Sequence, residues 1–214
     1  MSTYEDLVAE AVAAPLSGRD LKYLDGRMIE ASTPWSFPDR ASELVTGADG
    51  PVLDMSAGSG EFEDIDAEAL PFPDDRYAVV LNKHDPYHAG EVRRVLRRGG
   101  VFLTEQVGGL DGLAINEALG APLPSGSSEW ALSPARAELE AAGLEVNGGR
   151  TAFPERLFHD VGALIYFLRA VPRQVPDFSV EHYDKELRLL HDQMSAAEPF
   201  RDRAVRFLVE AVRP

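Results

Sequence analysis

Pro51-Val52-Leu53-Asp54-Met55-Ser56-Ala57-Gly58-Ser59-Gly60 is the stretch from which the rest of the chain is read. An apolar run ending in an acid and a glycine turn predicts the first strand of a nucleotide-type α/β domain. Its glycines let the backbone approach a ligand at the carboxyl end of the strand. A crossover helix and a second strand should follow, a βαβ unit needing ~30 or more residues. Only Glu61 to Ile65 separates Gly60 from the next recognisable block, Asp66-Ala67-Glu68-Ala69-Leu70-Pro71-Phe72-Pro73. The ligand loop is present without the second half of its usual pocket.

Outward from that loop, Tyr77 to Leu81 is a continuous apolar run, the pattern of a strand buried on both faces. Asp85-Pro86 reads as a helix start, with Ala89 to Leu96 helical and Gly99-Gly100 launching a strand over Val101 to Val107. A loop with a short helix reaches Pro124. Ser133-Pro134 then opens a helix to Ala142, Leu144-Glu145-Val146 enters a strand, and Asp160 caps Val161 to Ala170. Ser179 opens a long amphipathic helix through Met194, and Ala204 to Val212, where alternation is poor, reads as a strand or a helix, with strand the preferred reading. Upstream, Tyr4 to Ala14 is helical, Leu21 to Ile29 suggests a second short helix, and Asp39 begins a third. Strands alternating with helices predict a mostly parallel sheet. No linker or repeat is visible. The expected division is an N-terminal helical cap or lid over residues 1–46 and one α/β unit over 47–214.

With 214 residues the chain is long enough for one well-buried core. A formal net charge of −15 opposes a phosphate backbone, so nucleic acid is not the expected partner. The dense basic cluster Arg93, Arg94, Arg97, Arg98 reads as the solvated C-terminal end of a helix. The absence of cysteine removes disulfides, thiolate catalysis and thiolate-bound metals, and no metal is expected. The N-terminus carries Glu5 and Asp6 with no early cation and no long apolar run, so no membrane span is expected and the expected location is cytoplasmic.

These blocks, in this order, resemble class I S-adenosylmethionine (SAM) dependent methyltransferases. Val52 to Gly60 resembles the D-x-G-x-G-x-G loop, Asp66 to Val80 the adenine-side loop and strand four, and Glu91 to Leu103 the helix and strand five. Thr33-Pro34-Trp35, Asn82 to Asp85 and Gln106 to Gly108 are similar to a bacterial small-molecule subgroup. The resemblance implies a Rossmann-like methyltransferase fold with a truncated, mostly parallel sheet. It also implies SAM as cofactor, held by Asp54, Ser56, Gly58, Gly60, Asp66, Ala67 and Asn82. Two departures stand against it. Ser56 replaces the first glycine of the loop, and no residue maps to the strand-two acid that accepts hydrogen bonds from the ribose of SAM. Hydrogen bonds to a charged acceptor are worth ~1.5–3 kcal/mol each, so losing such contacts together with adenine packing weakens binding by ~10²–10⁴-fold. Strand one would also become a sheet edge, covered by the N-terminal helices or a second copy in a homodimer.

Ligands of open parallel sheets sit outside the carboxyl ends of the strands, which selects Glu105, His84 and Asp85 as catalytic candidates. Glu105, partly buried, is expected to have a raised pKa and to act as acid or base, with His84 as a second base. Trp35, Gln106, His159 and Tyr166 are the candidate substrate contacts. Three functions are consistent with these residues: a SAM-dependent methyltransferase acting on a small molecule; a cofactor-independent enzyme of specialised metabolism performing cyclisation or condensation on a degenerate methyltransferase scaffold; and a non-catalytic partner of a methyltransferase.

Overall fold

The structure, a computed structural model, describes residues 2–16, 21–55, 69–123, 129–196 and 198–214. The chain forms two compact units, one of Met1–Ser32, Gly109–Ser128 and Phe153–Val205, the other of Thr33–Gly108, Glu129–Ala152 and Arg206–Pro214. The expected boundary at 46/47 falls within the last turn of a helix of the second unit.

The first unit holds α1 (Tyr4–Ala13), β1 (Met28–Glu30), α4 (Leu113–Leu119), β6 (Glu155–Phe158), α6 (Val161–Ala170), α7 (Asp184–Ala196) and β7 (Phe200–Arg203). A helix that is apolar all round belongs inside. Accordingly Val161 to Leu168 of α6 are all buried, packed by Tyr4, Leu7 and Ala11 of α1 and Leu187 and Leu190 of α7. Asp160 starts α6 as predicted, accepting from the Ala163 amide at 2.9 Å while Arg27 forks onto it at 2.9 and 3.0 Å. A three-stranded antiparallel sheet, β1-β6-β7, completes this unit. Glu30, Arg156 and Asp202 lie opposite one another across it. Arg156 is 1% exposed and held by Glu30 at 2.8 Å, Asp202 at 2.9 Å and Asp111 at 3.4 Å.

The second unit holds α2 (Phe37–Gly47), β2 (Val52–Asp54), β3 (Tyr77–Lys83), α3 (Ala89–Val95), β4 (Leu96–Val107), α5 (Leu132–Ala141), β5 (Glu145–Ala152) and β8 (Arg206–Val212). Its five-stranded sheet has the order β2-β3-β4-β8-β5. The mostly parallel expectation holds for β2, β3 and β4, whereas β8 runs antiparallel to both β4 and β5. Strand alternation divides the side chains between two cores. Val80, Phe102, Phe207 and Val209 pack with Val92 and Val95 of α3 and Leu139 of α5. On the other face Val79, Leu81 and Leu103 pack with Phe37 and Ala41 of α2. Among the described residues β2 is an edge, and no helix is long and apolar enough to cross a membrane.

Four readings are corrected. The expected helix over Leu21 to Ile29 is a single 3-10 turn, Lys22–Leu24, followed by β1, because Met28–Glu30 takes its backbone partners from β6. The helix after β3 starts at Ala89, not at Asp85-Pro86. There the Asp85 carbonyl accepts from Gln106 Nε2 and the Pro86 carbonyl from Asn82 Nδ2, so buried amides fix an irregular turn instead. α2 begins at Phe37 with Ser36 as cap, ahead of Asp39. Ser179 accepts from the His182 amide at 3.2 Å, but α7 opens only at Asp184.

Candidate functional site

β2, β3 and β4 finish at the same edge of the sheet, each reaching slightly further than the last, and just past β2 the Met55 amide donates to the Leu81 carbonyl at 2.8 Å. Asp54 is exposed at the tip of β2. Ser56, Gly58, Gly60, Asp66 and Ala67, the remaining candidate cofactor contacts, lie outside the described residues.

At the end of β3 the residues separate by parity. Lys83 stands opposite Glu105 and Asn82 opposite Thr104. Lys83 and Glu105 therefore share the α2 face, and Asn82, Thr104 and Gln106 share the α3 face. Asn82 is fully buried, accepting at Oδ1 from Gln106 Nε2 (2.6 Å) and Thr104 Oγ1 (3.0 Å). Gln106, 6% exposed, also donates to the Asp85 carbonyl at 3.1 Å. These two amides tie β4 to the turn after β3, an internal task in place of the expected cofactor and substrate contacts. Asp85 sits in that turn, half-buried.

The α2 face carries the ionisable centre. Glu105 is 5% exposed and accepts from Trp35 Nε1 at 2.6 Å, with His84 Nε2 at 3.2 Å and Lys83 Nζ at 3.3 Å. Burial pushes its carboxyl up, but the hydrogen bonds from His84 and Trp35 and the positive charge of Lys83 outweigh that and hold its pKa down at about 2. The expected raised pKa is thus reversed. Glu105 is a fixed anion, with no proton to give and little tendency to take one. His84 follows β3 with φ 62°, in the left-handed region where a non-glycine residue is strained. Its amide donates to the Glu105 carbonyl at 2.8 Å, and its side chain remains 37% exposed. With Nε2–H directed to Glu105, Nδ1 is the acceptor nitrogen of the neutral ring.

Trp35, His84 and Glu105 are therefore brought together, and Lys83 joins them without having been singled out in the sequence. The even separation of Lys83 from Leu81 and Val79 placed it on their face, but its pairing with Glu105 depends on register. His159 and Tyr166 belong to the first unit. His159 is exposed. Tyr166 is 1% exposed, donates to the Pro15 carbonyl at 3.0 Å and stacks on Tyr23 at 4.6 Å, a core position that leaves no surface for a substrate. Among the described residues no group of three or more His, Asp or Glu is arranged to hold a metal ion.

Neither a family model nor a curated protein sequence matches the chain. Solved structures do. A putative methyltransferase from Bacillus halodurans C-125 (BH2331) is similar at TM-score 0.53 and 17% identity, covering 82% of this chain and 99% of that one. The [4+2]-cyclase SpnF is similar at TM-score 0.52 and 14% identity, covering 100% of this chain and 97% of that one. These likenesses, with the parallel β2-β3-β4 core and the antiparallel β8, give the chain the Rossmann-like fold of the class I SAM-dependent methyltransferases.

Proposed function

We propose that the protein is a methyltransferase-like enzyme acting on a small molecule at the carboxyl ends of β2, β3 and β4, with His84 as the proton acceptor. The observation that carries this reading is the His84–Glu105 pair at that end of the sheet, with a strained backbone at His84 and a carboxylate fixed as an anion. Glu105 and Trp35 position the imidazole, and Nδ1 takes the proton from a hydroxyl or amine of the substrate as it becomes a nucleophile. Holding the reactants in line then carries much of the rate. The net charge of −15 favours a small molecule over nucleic acid.

SAM is the methyl donor that the fold suggests, and when bound it supplies an electrophilic methyl group on a sulfonium. The described residues fit it only in part. Asp54 stands exposed at the tip of β2, and Ser56, Gly58, Gly60, Asp66 and Ala67 lie outside the described residues. The His84–Glu105 pair is assembled from the chain's own residues, and this favours a second reading, in which the same pair performs cofactor-independent acid–base chemistry such as cyclisation. The similarity to SpnF, a [4+2]-cyclase, is consistent with non-methyl chemistry on this fold.

Calorimetric titration with SAM and with S-adenosylhomocysteine separates the two readings. Micromolar binding supports methyl transfer. No binding at millimolar cofactor sinks it and leaves the cofactor-independent reading.

A further inference from the structure

α2 does not cover the whole of its face of the sheet. Between this helix and the edge strand β5 lies a groove of about 320 Å³, at the small end of the range for ligand pockets. Its floor is formed by β5 and β8, where Gly148 stands opposite Glu210 and Arg150 opposite Leu208. Gly148 is what keeps the floor open, since a Cβ placed there would meet nothing within 4 Å. Trp35 lines it, with its ring fixed by the 2.6 Å hydrogen bond from Nε1 to Glu105. Arg40 lines it too. Its Nε and Nη2 fork onto Glu210 at 2.8 Å each, and Nη1 bonds Glu43 at 2.9 Å.

Those bonds lie in the plane of the guanidinium, which is 40% exposed as a side chain. With each nitrogen engaged, what Arg40 still offers a ligand is chiefly its flat face, a surface that stacks on aromatic rings. The groove thus presents an indole and an immobilised guanidinium over a floor with no side chain at Gly148. Charges of both signs rim it, Asp39 and Glu43 against Arg150, so no single sign of charge selects an ion. We propose that this groove binds the ring of a planar, uncharged aromatic molecule of one or two fused rings, held by stacking on Trp35 or Arg40.

The probe is 2-naphthol, with decahydro-2-naphthol as a partner of the same skeleton without a π face. Titration of ¹⁵N-labelled protein is followed by the Trp35 indole N–H resonance, assigned with a Trp130→Phe variant, and by the Gly148 amide. The expected result is a saturable shift of both signals with 2-naphthol, and binding of the saturated analogue weaker by about 2- to 12-fold. Gly148→Val fills the floor from open space and should abolish the shift, with its folding checked by circular dichroism and Tm. Absence of a saturable shift, equal affinity for the two alcohols, or unchanged binding in a folded Gly148→Val protein each overturns the proposal. Binding is read here without turnover, so its failure leaves the reading of His84 and Glu105 untouched.

Discussion

Asp202→Asn should change how the stability of the protein depends on pH, and the size of the change follows from the surroundings of that carboxylate. Asp202 is 2% exposed, and its Oδ2 accepts from Arg156 at 2.9 Å while its Oδ1 is buried without a hydrogen-bond partner of normal geometry. Arg156 is shared with Glu30 and Asp111, so three carboxylates face one guanidinium. Burial raises the Asp202 pKa from 3.8 to about 6, Asp111 adding to the rise and Arg156 and the amides of Arg203 and Ala114 opposing it. A raised folded pKa means a contribution fully present below pH 3.8 and lost as pH climbs through about 6. At 1.36 kcal/mol per unit the whole loss is about 3 kcal/mol, of which about 2 kcal/mol falls between about pH 4.5 and 7.5. The assay is urea unfolding of both proteins across that range by far-UV circular dichroism. Fluorescence is unsuitable, because both tryptophans, Trp35 and Trp130, lie in the second unit. The stability of the wild-type protein relative to Asp202→Asn should fall by about 2 kcal/mol over that interval. A constant offset between the two curves is immaterial. A difference that stays flat, or grows with pH, refutes the reasoning.

Glu105 has the opposite sign. Its pKa, lowered from 4.5 to about 2, gives stability that is complete above pH 4.5 and lost as pH falls through about 2. Glu105→Gln should remove an acid-side loss of up to about 3 kcal/mol, read from acid titration of the second unit by tryptophan fluorescence. Tyr87 packs its ring on Phe102 at 5.2 Å, but its hydroxyl is buried without a partner. Tyr87→Phe should therefore stabilise the protein by about 1 kcal/mol in urea unfolding, and a loss of that size would reveal a missed partner. Asp160→Ala removes both the cap of α6 and the fork from Arg27, and a destabilisation of roughly 2–3 kcal/mol is expected. A change below about 0.5 kcal/mol would show that neither contact matters.

Much of the second unit was legible because its signals are local. The apolar run Tyr77 to Leu81 is β3, the run after Gly100 lies in β4, and Gly143, with φ 88°, stands just beyond α5 where a helix stop was expected. The three-stranded sheet of the first unit was not legible. β1 is three residues long and takes its hydrogen bonds from Arg156 to Phe158, so nothing in Met28–Glu30 by itself announces a strand. Turn chemistry also misled at Asp85-Pro86, where a good local helix start lost to the buried amides of Asn82 and Gln106.

By itself the sequence determined the α/β class, the strand that ends at Asp54, and the presence of chemistry-bearing residues at the strand ends, because residue type and period are properties of a short segment. Tertiary structure decided what those residues are. Alternation put Glu105 and Gln106 on opposite faces, and pairing placed Lys83 beside Glu105. Packing of α2 then brought Trp35 onto the same carboxylate. A buried carboxyl read alone should be hard to ionise; Trp35 from one part of the chain and the adjacent Lys83 and His84 from another converge on it and keep it ionised down to about pH 2, and that convergence is a property of the fold.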